Sequence, residues 1–280
     1  MFLKSSVPAV GALLLTLSLS VPPAFAITGG EPDGDRHPSV AALLAFVPGR
    51  PLPLLCTGVL IHPRVVLTAG HCLDGWEARG LHPTDLVIRF APDFNASNVV
   101  DRAAVRWMIH PEFDRQKVRQ QQRADLGAII LAEPVNDIAP SPWAPLGFLE
   151  DLQAQGLLRT APERTRIARV GYGFTLEMAP PDYGIFDGVR RLTFSEFQAA
   201  VPEHLILNGN LAADNGGVCF YDSGGPAFWQ HPETGEETVV SIVSWGTRCI
   251  ANDFSTRIDT PDTTWFVDAA IQCAEGGSCP

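Results

Sequence analysis

Basic residues are scarce in this 280-residue chain: 20 Lys and Arg stand against 31 Asp and Glu, a formal net charge of −11. It has no run of Lys or Arg, so the electrostatic footprint of a nucleic-acid binder is missing. Charged residues make up only 18% of the chain and apolar residues 46%, a balance that excludes disorder and describes a globular protein of one or two domains. Beyond the N-terminus, no apolar segment is long and uncharged enough to span a bilayer, so no stable membrane anchor is expected. There is no internal repeat and no low-complexity tract. The six cysteines are too few to replace a hydrophobic core, yet even in number, as in exported proteins. Turn chemistry, by contrast, is plentiful: 25 Gly and 24 Pro argue against long helices.

The N-terminus sets the expected compartment. Lys4 supplies a positive start, Val7 to Ser20 is a short apolar run, and Ala24-Phe25-Ala26 is an A-x-A-like cleavage site. Residues 1–26 therefore read as a signal peptide, with a secreted or periplasmic mature chain beginning at Ile27. An oxidising compartment favours disulfides over metal–thiolate sites, and neither a metal nor a cofactor is expected.

Downstream, short apolar runs alternate with Pro, Gly, Asp and Asn. Strands are predicted at Val40–Phe46, Val59–Ile61, Val65–Thr68, Leu86–Phe90, Val105–Ile109 and Ala128–Leu131. Four more are predicted at Ile167–Val170, Val189–Phe194, Leu205–Leu207 and Val239–Val243. Helices are predicted at Phe148–Gln155 and at Thr263–Gln272, the latter with Asp262 as N-cap. Pro134, Pro140, Pro142 and Pro145 mark a linker of about 133–165, dividing an N-terminal half of about 27–132 from a C-terminal half of about 166–280.

Three segments carry chemistry: Leu67-Thr68-Ala69-Gly70-His71-Cys72, Ala124-Asp125-Leu126-Gly127, and Cys219-Phe220-Tyr221-Asp222-Ser223-Gly224-Gly225-Pro226. A serine hydroxyl is a weak nucleophile at neutral pH. An imidazole must take its proton during attack and return it to the leaving group, and a carboxylate must orient that imidazole. Five of the seven histidines (His37, His62, His82, His110 and His231) precede proline and read as loop punctuation. His71 and His204 remain, and His204 has no motif around it. Asp125 abuts the apolar run Leu126–Leu131, where a buried carboxylate needs a partner that His71 can supply.

The three segments, in the order His, Asp, Ser, resemble the trypsin/chymotrypsin family of serine endopeptidases. The resemblance implies two packed antiparallel β-barrels with a C-terminal α-helix, an all-β fold acting on protein or peptide substrates as a monomer. It implies catalytic roles for His71, Asp125 and Ser223, and an oxyanion hole built from the backbone N–H groups of Tyr221 and Ser223. The family has Gly where this chain has Tyr221, so that donor is expected to be strained or tilted. Ile27-Thr28-Gly29-Gly30 resembles the activated N-terminus of the family, which implies an ion pair between a freed Ile27 amino group and Asp222. Signal cleavage directly before Ile27 would generate that group without a separate zymogen.

The resemblance also implies disulfides Cys56–Cys72 and Cys219–Cys249, leaving Cys273 and Cys279 to pair. Ser244-Trp245-Gly246 resembles the strand that pairs with substrate, and Ser244 is expected to bond Asp125. Gly217 falls at the floor of the primary pocket, where trypsins carry Asp, so a simple Arg/Lys specificity is not implied. Asp253 has two readings: a pocket-wall carboxylate that attracts a basic side chain, or a solvent-facing loop charge. Rival functions are a pseudoprotease used as a binding module, with Tyr221 misforming the oxyanion hole, and an esterase on the same fold.

Overall fold

The computed structural model describes residues 27–47, 49, 53–117, 123–175, 186–247 and 249–279. The expected signal peptide, residues 1–26, lies outside them. Strands β2 (Val40–Ala45), β3 (Leu54–His62), β4 (Val65–Thr68), β5 (Leu86–Arg89), β6 (Asp101–Ile109) and β7 (Gly127–Leu131) close into a barrel in the order β2-β3-β4-β7-β6-β5. All its pairings are antiparallel. In β2 every residue is buried, and alternate residues join different clusters. Val40, Ala42 and Leu44 belong to the core shared with the second barrel, while Ala41, Leu43 and Ala45 pack with Leu60, Leu73 and Trp76. This is the period-2 geometry of a strand covered on both faces. Phe46, expected to end β2, is 56% exposed and lies beyond it.

The second barrel is formed by β8 (Arg166–Gly171), β9 (Arg191–Ala200), β10 (His204–Asn208), β11 (Pro226–Gln230), β12 (Glu237–Gly246) and β13 (Asn252–Arg257). Its order is β9-β10-β13-β12-β11-β8, closed by β8 pairing with β9, and the short β1 (Glu31–Pro32) adds to β9. The fold is thus two six-stranded antiparallel barrels with few helices. Val189, expected within a strand, makes only an isolated bridge to Asp93.

Helix α1 (Gly70–Glu77) follows β4 directly, α2 (Phe148–Ala154) precedes the second barrel, and α3 (Pro261–Ala274) ends the chain. The N-cap of α3 is Thr260, not Asp262: its side chain accepts from the Thr263 N–H, and Pro261 at the first helical position needs no donor partner. Helix α3 crosses back to pack on β4 and β7 of the first barrel. There Arg64 donates to the carbonyls of both Ala274 and Leu131. Among the described residues, no helix is long and apolar enough to cross a membrane.

A buried ionic cluster ties the segment before β2 to the second barrel. Asp33 accepts from Arg190 Nε at 2.8 Å and from His37 Nδ1 at 2.5 Å, and Glu237 lies 3.0 Å from the other His37 nitrogen. Burial pushes the Asp33 carboxyl up, but His37 and Arg190 outweigh it and hold it below the usual range. Burial alone would lower His37, yet the two carboxylates raise it to about 9. The cluster is therefore charged throughout the neutral range. The share of stability from His37 is complete below its unfolded value of about 6.5 and lost as pH rises through its folded value. The share from Asp33 is complete above about 3.9 and lost as pH falls. Asp33→Asn strands Arg190 as a buried, unpaired charge and should cost about 3–5 kcal/mol in urea unfolding at pH 7. The difference from the parent should shrink toward pH 10 and toward pH 3.

Candidate active site

One rung of the first barrel brings His71 and Asp125 together. Thr68 of β4 pairs with Gly127 of β7. The strands are antiparallel, so the residues just after Thr68 and just before Gly127 emerge at the same barrel end. Gly70 permits the close approach: a Cβ there would lie 3.0 Å from the Leu126 carbonyl oxygen. His71 donates twice to Asp125, from its backbone N–H to Oδ1 at 2.8 Å and from Nδ1 to Oδ2 at 2.7 Å.

The second barrel completes the shell around this carboxylate. Ser244 Oγ donates to Asp125 Oδ2 at 2.5 Å, and Thr256 Oγ1 donates to the Asp125 carbonyl at 3.2 Å. Ser244 sits where the register of β12 against β13 shifts between Val243 and Trp245, a bulge that turns its side chain toward Asp125. Asp125 is 1% exposed. Burial pushes its carboxyl up, but His71 and Ser244 bring it below the usual range, so it is ionised and fixes Nδ1 as the protonated ring nitrogen.

Ser223 lies in the turn leading to β11. Its carbonyl accepts from the Thr57 N–H at 2.8 Å. Thr57 follows Cys56, which is bonded to Cys72, the neighbour of His71. The serine turn is thus pinned to the strand that is cross-linked beside the histidine. Gly224, at φ 85°, is wedged between the barrels: a Cβ there would lie 2.1 Å from Thr68 Oγ1 and 2.3 Å from the Thr57 carbonyl. Tyr221 adopts φ 78°, the left-handed region that favours glycine. Holding a bulky residue there costs about 1–2 kcal/mol. The ring offsets this by stacking on Phe174 at 5.1 Å and against Phe186 at 5.2 Å, and the Tyr221 carbonyl accepts from Thr57 Oγ1 at 3.0 Å.

Behind the serine, Asp222 is buried and its oxygens accept from the backbone N–H groups of Gly173 and Cys219 at 2.7 and 2.8 Å. Gly171 and Gly173 make room for it; a Cβ at either would meet a carboxylate oxygen within 2.3 Å. Burial pushes the Asp222 carboxyl up to about 7, against the pull of those donors and of Arg169. Ile27 is fully buried, and Thr28 bridges Gly217, whose N–H donates to the Thr28 carbonyl at 3.0 Å.

Of the expected substrate-facing residues, Ser244, Trp245 and Gly246 lie on β12 and Asp253 on β13, while Gly217 lies outside both strands. Trp245 stacks on Phe254 with centroids 3.8 Å apart, and Gly246 stands opposite Asp253. Asp253 is 1% exposed, so its reading as a solvent-facing loop charge does not hold. It is instead ion-paired at 2.7 Å with Arg169, which sequence reasoning missed. The available signal was a lone Arg inside the apolar run Ile167–Val170, which demands a buried partner. Thr57 was missed too. Disulfides join Cys56–Cys72, Cys219–Cys249 and Cys273–Cys279. Among the described residues, the metal-sized group Cys56, His71 and Cys72 has no thiolate to offer, because its two sulfurs are bonded to each other.

Residues 27–262 match the protein-family model described as Trypsin. The chain is 24% identical over 246 residues to a venom serine protease of Polistes dominula, covering 81% of this chain and 78% of that one. It is 26% identical to the clotting factor G beta subunit of Tachypleus tridentatus, covering 81% and 73%. In fold it is similar to human heparin binding protein, with a TM-score of 0.61 at 19% identity, covering 86% of this chain and 96% of that one.

Thr57→Val keeps the shape but removes the Oγ1 that donates to the Tyr221 carbonyl and accepts from the Tyr172 N–H. A buried N–H and a partly buried carbonyl lose a partner, so thermal unfolding should show a loss of about 1–3 kcal/mol. Thr57→Ser should recover most of it.

Proposed function

Because the chain belongs to the trypsin family, we propose that it is an exported serine endopeptidase, with Ser223 as nucleophile, His71 as general base and then acid, and Asp125 as the orienting carboxylate. The observation that carries this reading is the buried Asp125, hydrogen-bonded twice to His71 and once to Ser244, beside a serine turn anchored to the same barrel. With Nδ1–H held by Asp125, Nε2 is the ring nitrogen that accepts the Ser223 proton. Ser223 Oγ then bonds to the scissile carbonyl carbon. The resulting oxyanion is received by the N–H groups of Ser223 and Tyr221, and His71 returns the proton to the amine as the C–N bond breaks. Water, activated by the same imidazole, cleaves the acyl-enzyme.

Tyr221 bears on the rival binding-module reading. Its φ of 78° is the region a glycine would take, which supports a backbone N–H aimed as in a Gly-bearing turn. Export is supported by the N-terminal signal pattern and by similarity to a venom protease.

Labelling with an alkyl fluorophosphonate tests the nucleophile. One adduct should map to Ser223, and it should disappear in His71→Ala. No adduct on folded protein beginning at Ile27 would favour the binding module.

The freed Ile27 amino group has a clear electrostatic task. In the full-length chain, burial holds Asp222 near 7. A folded pKa above the unfolded one means that ionisation opposes folding: the penalty is absent below about 4, grows with pH and is complete above 7. An ammonium paired to Asp222 would cancel it. Protein starting at Ile27 should therefore melt higher than the same chain with one extra N-terminal residue. The gap should widen from pH 4 to pH 8 and close again as the amino group deprotonates. Equal melting temperatures across that range would refute the pair.

A further inference from the structure

Three aromatic rings meet over the turn that precedes Ser223. Phe174 stacks on Tyr221 with centroids 5.1 Å apart, Phe186 lies 5.2 Å from the same ring, and the two phenylalanines lie 5.4 Å from each other. Both are anchored from behind. The Phe174 N–H donates to the Phe220 carbonyl at 3.0 Å. Phe186 packs at 5.7 Å on the buried Phe94, whose own N–H donates to the Gly188 carbonyl at 3.0 Å. Beside it Asn95 Nδ2 donates to the Asp187 carbonyl at 2.7 Å, so Phe186 is seated on a segment of the N-terminal half.

These contacts converge on one peptide unit. A trans peptide points its C=O and N–H in opposite directions. The bond from Phe174 holds the Phe220 carbonyl on one side, which turns the Tyr221 N–H to the other. The direction of that N–H also depends on the Tyr221 backbone, and its φ of 78° is one that a bulky side chain keeps only when its surroundings enforce it. Glycine would hold the same angle unaided.

We infer that Phe174 and Phe186 are positioning residues: by clamping the Tyr221 ring they hold its N–H as an oxyanion donor, so that an aromatic contact substitutes for the backbone freedom of glycine. The inference rests on the peptidase reading for the oxyanion, but not for the backbone conformation that the two rings impose.

The test is a cycle of variants in protein beginning at Ile27. Phe174→Leu and Phe186→Leu keep an apolar side chain but remove a ring. Each should lower kcat roughly tenfold or more with KM little changed, short of the about 100–1,000-fold of losing one oxyanion donor outright. Phe174→Tyr and Phe186→Tyr, which keep the ring, should retain the parent kcat. On a Tyr221→Gly background the two Leu changes should leave kcat nearly unmoved, because glycine needs no clamp. A general loss of folded protein would instead appear on both backgrounds, so equal losses with Tyr and with Gly at position 221 overturn the proposal. A second readout needs no turnover: crystal structures of the variants. With both phenylalanines replaced by Leu, Tyr221 should leave the left-handed region, whereas a glycine at 221 should stay in it. A Tyr221 that keeps φ near 78° without the two rings overturns the proposal. Should the double variant not fold, the single Leu variants are read in the same way. If the parent and Tyr221→Gly alike cleave no peptide and are not labelled at Ser223, the peptidase reading fails, and the crystal structures still decide whether the rings hold the Tyr221 backbone.

Discussion

Asp125 is a carboxylate out of water, and such a group is tolerated only when its oxygens are filled by donors. Here the donors come from both halves of the molecule: His71 from the first barrel and Ser244 from the second, with Thr256 holding the same residue by its carbonyl. The charge therefore does two jobs at once. It orients an imidazole, and it makes the meeting of the barrels conditional on correct geometry at one point. The Ser223 turn uses the same logic with neutral groups, since Gly224 fits only because no side chain stands between it and Thr57 and Thr68.

Most of the architecture was legible from apolar periodicity, and the failures have identifiable causes. Strand β13, Asn-Asp-Phe-Ser-Thr-Arg, carries too much polarity to read as a buried strand, because Asp253 and Ser255 on one face are spent on Arg169 and Thr256 on the other is spent on Asp125. Strand β11 hides behind Gly224, Gly225 and Pro226, which read as turn. Helix α1 spans only eight residues and has no side-chain cap, so it left no start signal. At the site, His71, Asp125, Ser223 and Ser244 were legible because each sits in a local motif. Thr57 and Arg169 were not, because their roles depend on partners more than eighty residues away in sequence.

Two acidic groups share one buried cation. Arg169 is bonded to Asp253 and also draws down the Asp222 carboxyl, while Asp253 pushes Asp222 up. The charge state of the Arg169–Asp253 pair is thus coupled to that of Asp222.

The return of α3 onto the first barrel gives the molecule a topology closer to a buckle than to two beads. Arg64 grips the last turn of the helix through Ala274, and the Phe266 ring packs at a tilt against His110 with centroids 5.2 Å apart. The C-terminal half in sequence thereby owns part of the N-terminal half in space. A cut in the connection near Pro140 would yield fragments that are not the two barrels, since one would carry a helix belonging to the other. Such halves are suited to reassembly in trans, as a split protein whose two pieces find each other through a pre-shaped helix and its seat.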